Sequence, residues 1–265
     1  MEKEKKVIQF HQLVRIEKGP VNATITDFLK GDVYRVPLTL IEAFERREFE
    51  EIPEFISALE EEKLIIACDE GVWVPGIRFI KKEEGEDFPI RLELEQGVDM
   101  ELIGKKFRNM DVAFIIYYGE EFYEEILPGV SVETKKLRRD ECSAKACVNS
   151  SSKFDKIDES RYGFCMEFNS CWGYRLAVTK ENAVKPCMHS SIVLGYLDKE
   201  TLPEIMAKAE SYWTLNMDKI EKCKICEMRY ICTDCRVVAL EKTGDLLGAN
   251  PLCLYNPATG TWQES

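Results

Sequence analysis

The segment KCKICEMRYICTDCR, residues 222–236, places Cys223, Cys226, Cys232 and Cys235 within thirteen residues of a 265-residue chain that has eleven cysteines and two histidines. Its centre is two C-x2-C pairs separated by five residues. Cys165, Cys171 and Cys187 precede it and Cys253 follows it, giving eight close-set thiols. Thiolates are soft ligands, suited to iron–sulfur clusters or zinc, and eight are enough for two four-thiolate sites. A free cysteine buried as a small hydrophobe is a good account of the solitary Cys68 in IIACDEG and a poor one of eight thiols at these intervals. Zinc ribbons separate their two pairs by roughly 15–20 residues. The five-residue gap here leaves one tight loop, which wraps a bulky cubane more readily, so [4Fe-4S] is the first expectation and zinc the alternative.

The elements that must position these thiols begin with a polar N-terminus, MEKEKKVIQF, which has no apolar core of an export signal. A cytoplasmic protein with reduced thiols is therefore expected. No apolar run is long enough to span a bilayer, so no membrane partner is expected. A formal charge of −12 argues against a nucleic-acid partner, because phosphate binding needs clustered Lys and Arg.

The fold class read from the pattern is α+β. Residues 7–15, 21–27 and 32–36 predict three strands, and residues 38–44 and 52–59 predict two amphipathic helices. A hairpin from 64–67 and 72–74 would close a winged helix-turn-helix-like module over residues 1–80. KKEEGED, residues 81–87, reads as a boundary. Beyond it, a strand around Ile90, Leu92 and Leu94, a helix over 100–110 and a buried strand over 111–118 predict a short β-α-β segment within residues 88–140. The cysteine-rich region, residues 141–265, is expected to form small β-hairpins and helices around two clusters.

From Cys165 to Trp262 the chain resembles the SPASM domain of peptide-modifying and sulfatase-maturing enzymes. That pattern is a cysteine, a Gly five residues before the next cysteine, then C-x2-C-x5-C-x3-C and a final cysteine. Here it reads NSCWGYRLAVTKENAVKPC, CKICEMRYICTDC and Cys253. CEMRYICTDCR and the ending YNPATGTW are similar to the SPASM peptide maturases of grasp-with-spasm systems. The resemblance implies one auxiliary cluster on Cys165, Cys171, Cys187 and Cys235, and a second on Cys223, Cys226, Cys232 and Cys253. There are two departures: Cys232 and Cys235 have two residues between them where three are usual, and Asn182 replaces the Gly. Asn is the best substitute for Gly in a left-handed backbone position.

Most SPASM proteins also carry a radical S-adenosylmethionine domain with a C-x3-C-x2-C motif, and these 265 residues contain none. Cys142 and Cys147 form only C-x4-C, and residues 88–140 are too short for a barrel, so no radical S-adenosylmethionine activity is expected. The first module resembles the small domains that recognise leader peptides by adding a strand to a sheet edge. The implied role is an accessory component in maturation of a ribosomally made peptide (RiPP), with a precursor peptide and an ATP-grasp ligase as partners and the clusters serving scaffolding or electron transfer. Two alternatives differ in class: a cluster- or thiol-dependent peptide-modifying enzyme using Cys142 and Cys147 beside Lys145, and a structural zinc-binding interaction module. His11 and His189 read as ordinary side chains, and Glu60, Glu61 and Glu62 as a solvated helix end.

Overall fold

Strand β1 (Lys6–Phe10) stops at a turn in which His11 Nδ1 accepts from the Leu13 N–H at 3.2 Å, and β2 (Val14–Lys18) begins beyond it. The single strand expected over 7–15 is thus two strands. The break exists because its halves have different partners: β2 pairs antiparallel with β3 (Asn22–Asp27), whereas β1 pairs antiparallel with β5 (Ile65–Asp69). The computed structural model describes residues 6–69, 88–120, 123, 125–136 and 156–263. The other strand of the expected wing, 72–74, lies outside the described residues, as do Cys142 and Cys147.

Strand β4 (Asp32–Pro37) completes a β2-β3-β4 sheet, and helices α1 (Leu38–Glu45) and α2 (Pro53–Glu61) follow it. Pro37 and Pro53, at the two helix starts, lack the N–H that the first turn would leave unpaired. Ile41, Phe44 and Leu59 face Ile25 and Leu64 in a core that holds both helices to the strands. Glu62 accepts from Lys30 Nζ at 2.7 Å and from Tyr34 OH at 2.8 Å, so the end of the acidic run ties α2 to the sheet.

The expected β-α-β segment forms. Strand β6 (Ile90–Glu95), helix α3 (Met100–Phe107) and strand β7 (Val112–Tyr118) place β6 and β7 in parallel register. Asp99 caps α3 by accepting from the Leu102 N–H at 3.0 Å. Strand β8 (Val132–Lys135) adds alongside β7. On the other side, β9 (Arg175–Val178) runs parallel to β6, and β10 (Ala183–Lys185) and β11 (Gly195–Tyr196) extend the sheet antiparallel. One six-stranded sheet, β11-β10-β9-β6-β7-β8, therefore joins the β-α-β segment to the cysteine-rich region.

Helix α4 (Glu159–Glu167) starts at Asp158, whose carboxylate accepts from the Arg161 N–H at 2.7 Å. Helix α5 (Leu202–Trp213) starts at a capping box in which Glu204 accepts from the Thr201 N–H at 2.9 Å. Leu202, Ile205, Ala209 and Trp213 of α5 share a core with Ile103 and Phe107 of α3 and with the sheet. Helix α6 (Arg236–Thr243) ends at Gly244 with φ 73°, a left-handed position that glycine takes without strain. A short hairpin, β12 (Tyr255–Asn256) and β13 (Thr261–Trp262), closes the chain. Among the described residues, no helix is long and apolar enough to cross a membrane.

The three-stranded N-terminal sheet docks directly on the CEMRY loop. Buried Thr24 donates to the Glu227 carbonyl at 2.8 Å, Tyr162 OH donates to Glu17 at 2.8 Å, and Arg229 donates to the other oxygen of Glu17. Asn22 Nδ2 donates to Tyr255 OH at 3.2 Å, and Tyr255 in turn donates to Glu227.

Candidate metal centre

The thiols stand in two neighbourhoods. In the first, buried Cys187 and Cys235 pack with Trp172, and half-buried Cys171 lies against them. Cys171 reaches this place because Asn169 Oδ1 accepts from the N–H groups of Cys171 at 3.0 Å and Trp172 at 2.8 Å, turning the chain tightly after α4. A Cβ on Gly173 would fall 2.5 Å from the Phe164 ring and 2.8 Å from the Asn169 carbonyl. Gly173→Ala is therefore expected to cost about 1–3 kcal/mol through overpacking, read as a lowered melting temperature. Asn182, in the turn between β9 and β10, has φ 62°, the left-handed conformation expected of it.

In the second neighbourhood, Cys223, Cys226 and Cys253 lie close enough to raise one another's thiol pKa. Cys226 and Cys253 pack against Met228, Tyr230, Ile231 and Tyr255. Cys165 packs in this same apolar group, yet Arg91 acts on both Cys165 and Cys171, so Cys165 stands between the two sets. Cys232, on the same loop, donates to the Thr233 carbonyl at 3.5 Å. Among the described residues, no three or more His, Cys, Asp or Glu gather closely enough to hold a single metal ion.

Charged side chains that the sequence reading left aside surround the first set. Glu93, 2% exposed, accepts from Arg175 at 2.9 Å, from the Met188 N–H at 2.7 Å and from Tyr118 at 3.3 Å. Arg91 donates to the carbonyls of Cys171 at 3.0 Å and Gly173 at 2.5 Å. Burial and the neighbouring Arg175 pull the Arg91 guanidinium down to about 10, still protonated at neutral pH. The one signal for them was Arg91 and Glu93 themselves, interleaved with Ile90, Leu92 and Leu94. Beside Cys235, Asp234 receives two N–H bonds from the fully buried Arg236, and Arg236 also donates to the carbonyls of Leu246 at 2.9 Å and Gly248 at 2.8 Å. His11 Nε2 faces the buried Asp27 at 3.8 Å, and the His189 ring lies 6.3 Å from that of Tyr118.

The donor set fits a thiolate-bound group. The buried indole N–H of Trp172 faces the Cys187 sulfur, a donor placed to stabilise a metal-bound thiolate there. As free thiols these groups resist ionisation. Burial pushes Cys165 up to about 11, and burial together with neighbouring anions and thiols pushes Cys223 and Cys226 up to about 12. In the metal-free chain the folded state therefore holds protons that the unfolded state releases at about 9. That stability is complete below pH 9 and is lost as pH rises toward 12. The expected result is a melting temperature of reduced, chelated protein that falls as pH is raised beyond about 9. Protein carrying metal on these cysteines should show the opposite trend, losing its metal as pH falls.

No protein-family model matches the chain. It is similar to two curated proteins named AdoMet-dependent heme synthase, one from Methanosarcina barkeri (strain Fusaro) and one from Nitratidesulfovibrio vulgaris (strain Hildenborough). The first is 33% identical over 82 residues, covering 30% of this chain and 24% of the relative. The second is 29% identical over 82 residues, covering 30% of this chain and 22% of the relative. The likeness is local. The chain spans less than a quarter of the length of the curated relatives it matches.

Proposed function

We propose that this is a SPASM-related iron–sulfur protein that binds two [4Fe-4S] clusters. One would be held by Cys165, Cys171, Cys187 and Cys235, the other by Cys223, Cys226, Cys232 and Cys253. The observation that carries the reading is the sorting of the thiols: Cys171, Cys187 and Cys235 share one buried neighbourhood, and Cys223, Cys226 and Cys253 share another. The partial likeness to AdoMet-dependent heme synthases, whose name implies S-adenosylmethionine chemistry, supports the same reading. Bound clusters would supply one-electron storage and would cross-link segments far apart in sequence.

The chain's own residues suggest the task. Among the described residues, β4 stands at the edge of the β2-β3-β4 sheet, where a precursor peptide could add as a further strand. Glu17, Thr24 and Asn22 bind that sheet to the loop between Cys226 and Cys232, so peptide capture and the second thiol set share one framework. The role is accessory, in maturation of a RiPP with an ATP-grasp ligase as partner, through scaffolding or electron transfer. Iron, sulfide and zinc analysis on protein purified without oxygen tests this. About eight iron and eight sulfide per chain, with broad absorption in the visible, is the expected result. About two zinc without sulfide would overturn the cluster reading in favour of a structural zinc module.

A further inference from the structure

A cavity of about 370 Å³ opens where β6 and β7 begin, against the first turns of α4. Its volume falls in the range of small-molecule sites. Two guanidiniums line it, those of Arg91 and Arg161. Arg91 donates through one nitrogen, Nη2, to the carbonyls of both Cys171 and Gly173, and Arg161 donates to the Thr233 hydroxyl at 3.3 Å. The nearby carboxylates are engaged elsewhere: Glu93 with Arg175, Tyr118 and the Met188 N–H, and Asp158 with the Arg161 N–H. Among the described residues, neither cation is matched by a carboxylate contact. In a chain with a net charge of −12, two such cations make this cavity locally positive.

The remaining lining is of two kinds. Phe88 meets Phe164 edge-on with centroids 5.3 Å apart and Tyr174 at 5.3 Å, making an aromatic wall, and Arg91 sits over the Phe164 ring at 5.6 Å from its centroid. Ser160 and Thr233 add hydroxyls near Arg161. Planar guanidiniums that also hydrogen-bond suit a carboxylate or phosphate, and the aromatic wall suits a flat apolar body.

The geometry points to a binding site for a small aromatic anion: one ring carrying a carboxylate or a phosphate, its ring against Phe88, Phe164 and Tyr174 and its acidic group between Arg91 and Arg161. The acid could belong to a free small molecule or to an aromatic residue at a peptide C-terminus. Cys165 lies on the wall of this cavity, so the ligand would sit beside the first thiol set. The site borders the proposed cluster ligand Cys165 but takes its affinity from Arg91, Arg161 and the aromatic wall, so binding by metal-free protein would separate it from the cluster reading.

Isothermal titration of the full chain, as purified without oxygen, with phenyl phosphate and with N-acetylphenylalanine tests it. Saturable binding of at least one is expected, weakened at least about tenfold for benzyl alcohol, which has the ring without the charge. Arg161 is on the surface, so Arg161→Gln should melt like the parent while binding the same probe at least about fivefold more weakly. Preference for N-acetylphenylalanine would assign the peptide source, and preference for phenyl phosphate the small-molecule source. Absence of saturable binding for both probes would overturn the proposal. So would an Arg161→Gln variant that binds as the parent does while its visible spectrum changes, because the guanidiniums would then serve only the thiolate centre.

Discussion

Cys226→Ser is expected to lower both iron and sulfide from about eight to about four per chain, while the first thiol set keeps its cluster. Cys226 is half-buried against Cys253 and the aromatic group around Tyr255, and its carbonyl accepts from Arg229 at 3.0 Å. The same Arg229 grips Glu17, and the next residue, Glu227, accepts from Thr24 through its carbonyl. Loss of the ligand should therefore loosen the N-terminal sheet from the cysteine-rich region. Faster hydrogen exchange in β2 and β3, with exchange in α5 unchanged, would report it. Unchanged metal content and exchange in this variant would sink the assignment of Cys226 to a cluster.

Arg236→Ala is expected to be the most destabilising single change outside the cysteines. Arg236 is fully buried, Asp234 is 2% exposed, and their two-pronged pair fixes the chain on both sides of Cys235. Removing the cation leaves a buried carboxylate unpaired, which costs about 3–5 kcal/mol. The carbonyls of Leu246 and Gly248 lose their donor as well. At about 2–4 °C per kcal/mol for a chain of this size, the melting temperature should fall by roughly 10 °C. Replacing both charges, as Arg236→Met with Asp234→Leu, should recover much of the loss, because an apolar pair of similar shape avoids the unpaired charge. If the single variant melts within about 2 °C of the parent, the pair is not buried in the way described.

Much of the local structure was legible in the sequence. The apolar stripes over 38–44 and 52–59 are short-range signals that the backbone obeys where they stand. The left-handed turn at Asn182 was legible because few side chains other than Asn tolerate that conformation. The expected strand over 7–15 came from VIQFHQLVR, rich in apolar residues and without a glycine or proline to interrupt it. It failed because such a stretch does not say which strand will pair with which half of it, and β5, with partners 55 to 63 residues further on, takes the first half.

By itself, the sequence determined that eight of the eleven cysteines crowd between Cys165 and Cys253 and that a β-α-β segment precedes them, because spacing and periodicity are properties of neighbouring residues. Only the tertiary structure decided where Arg91 and Glu93 point. Alternation with Ile90, Leu92 and Leu94 puts them on the opposite face of β6, which a surface strand would give to solvent. With β7 on one side and β9 on the other, β6 is central. Its edges are paired, and the segment carrying Cys171, Arg175 and Met188 covers the face of Arg91 and Glu93, so each charge finds partners there: Arg175 and the Met188 N–H for Glu93, the Cys171 and Gly173 carbonyls for Arg91. The docking of the first sheet on the CEMRY loop was settled in the same way. Glu17 and Arg229 are more than 200 residues apart, and only folding brings a buried carboxylate to the guanidinium that offsets its desolvation.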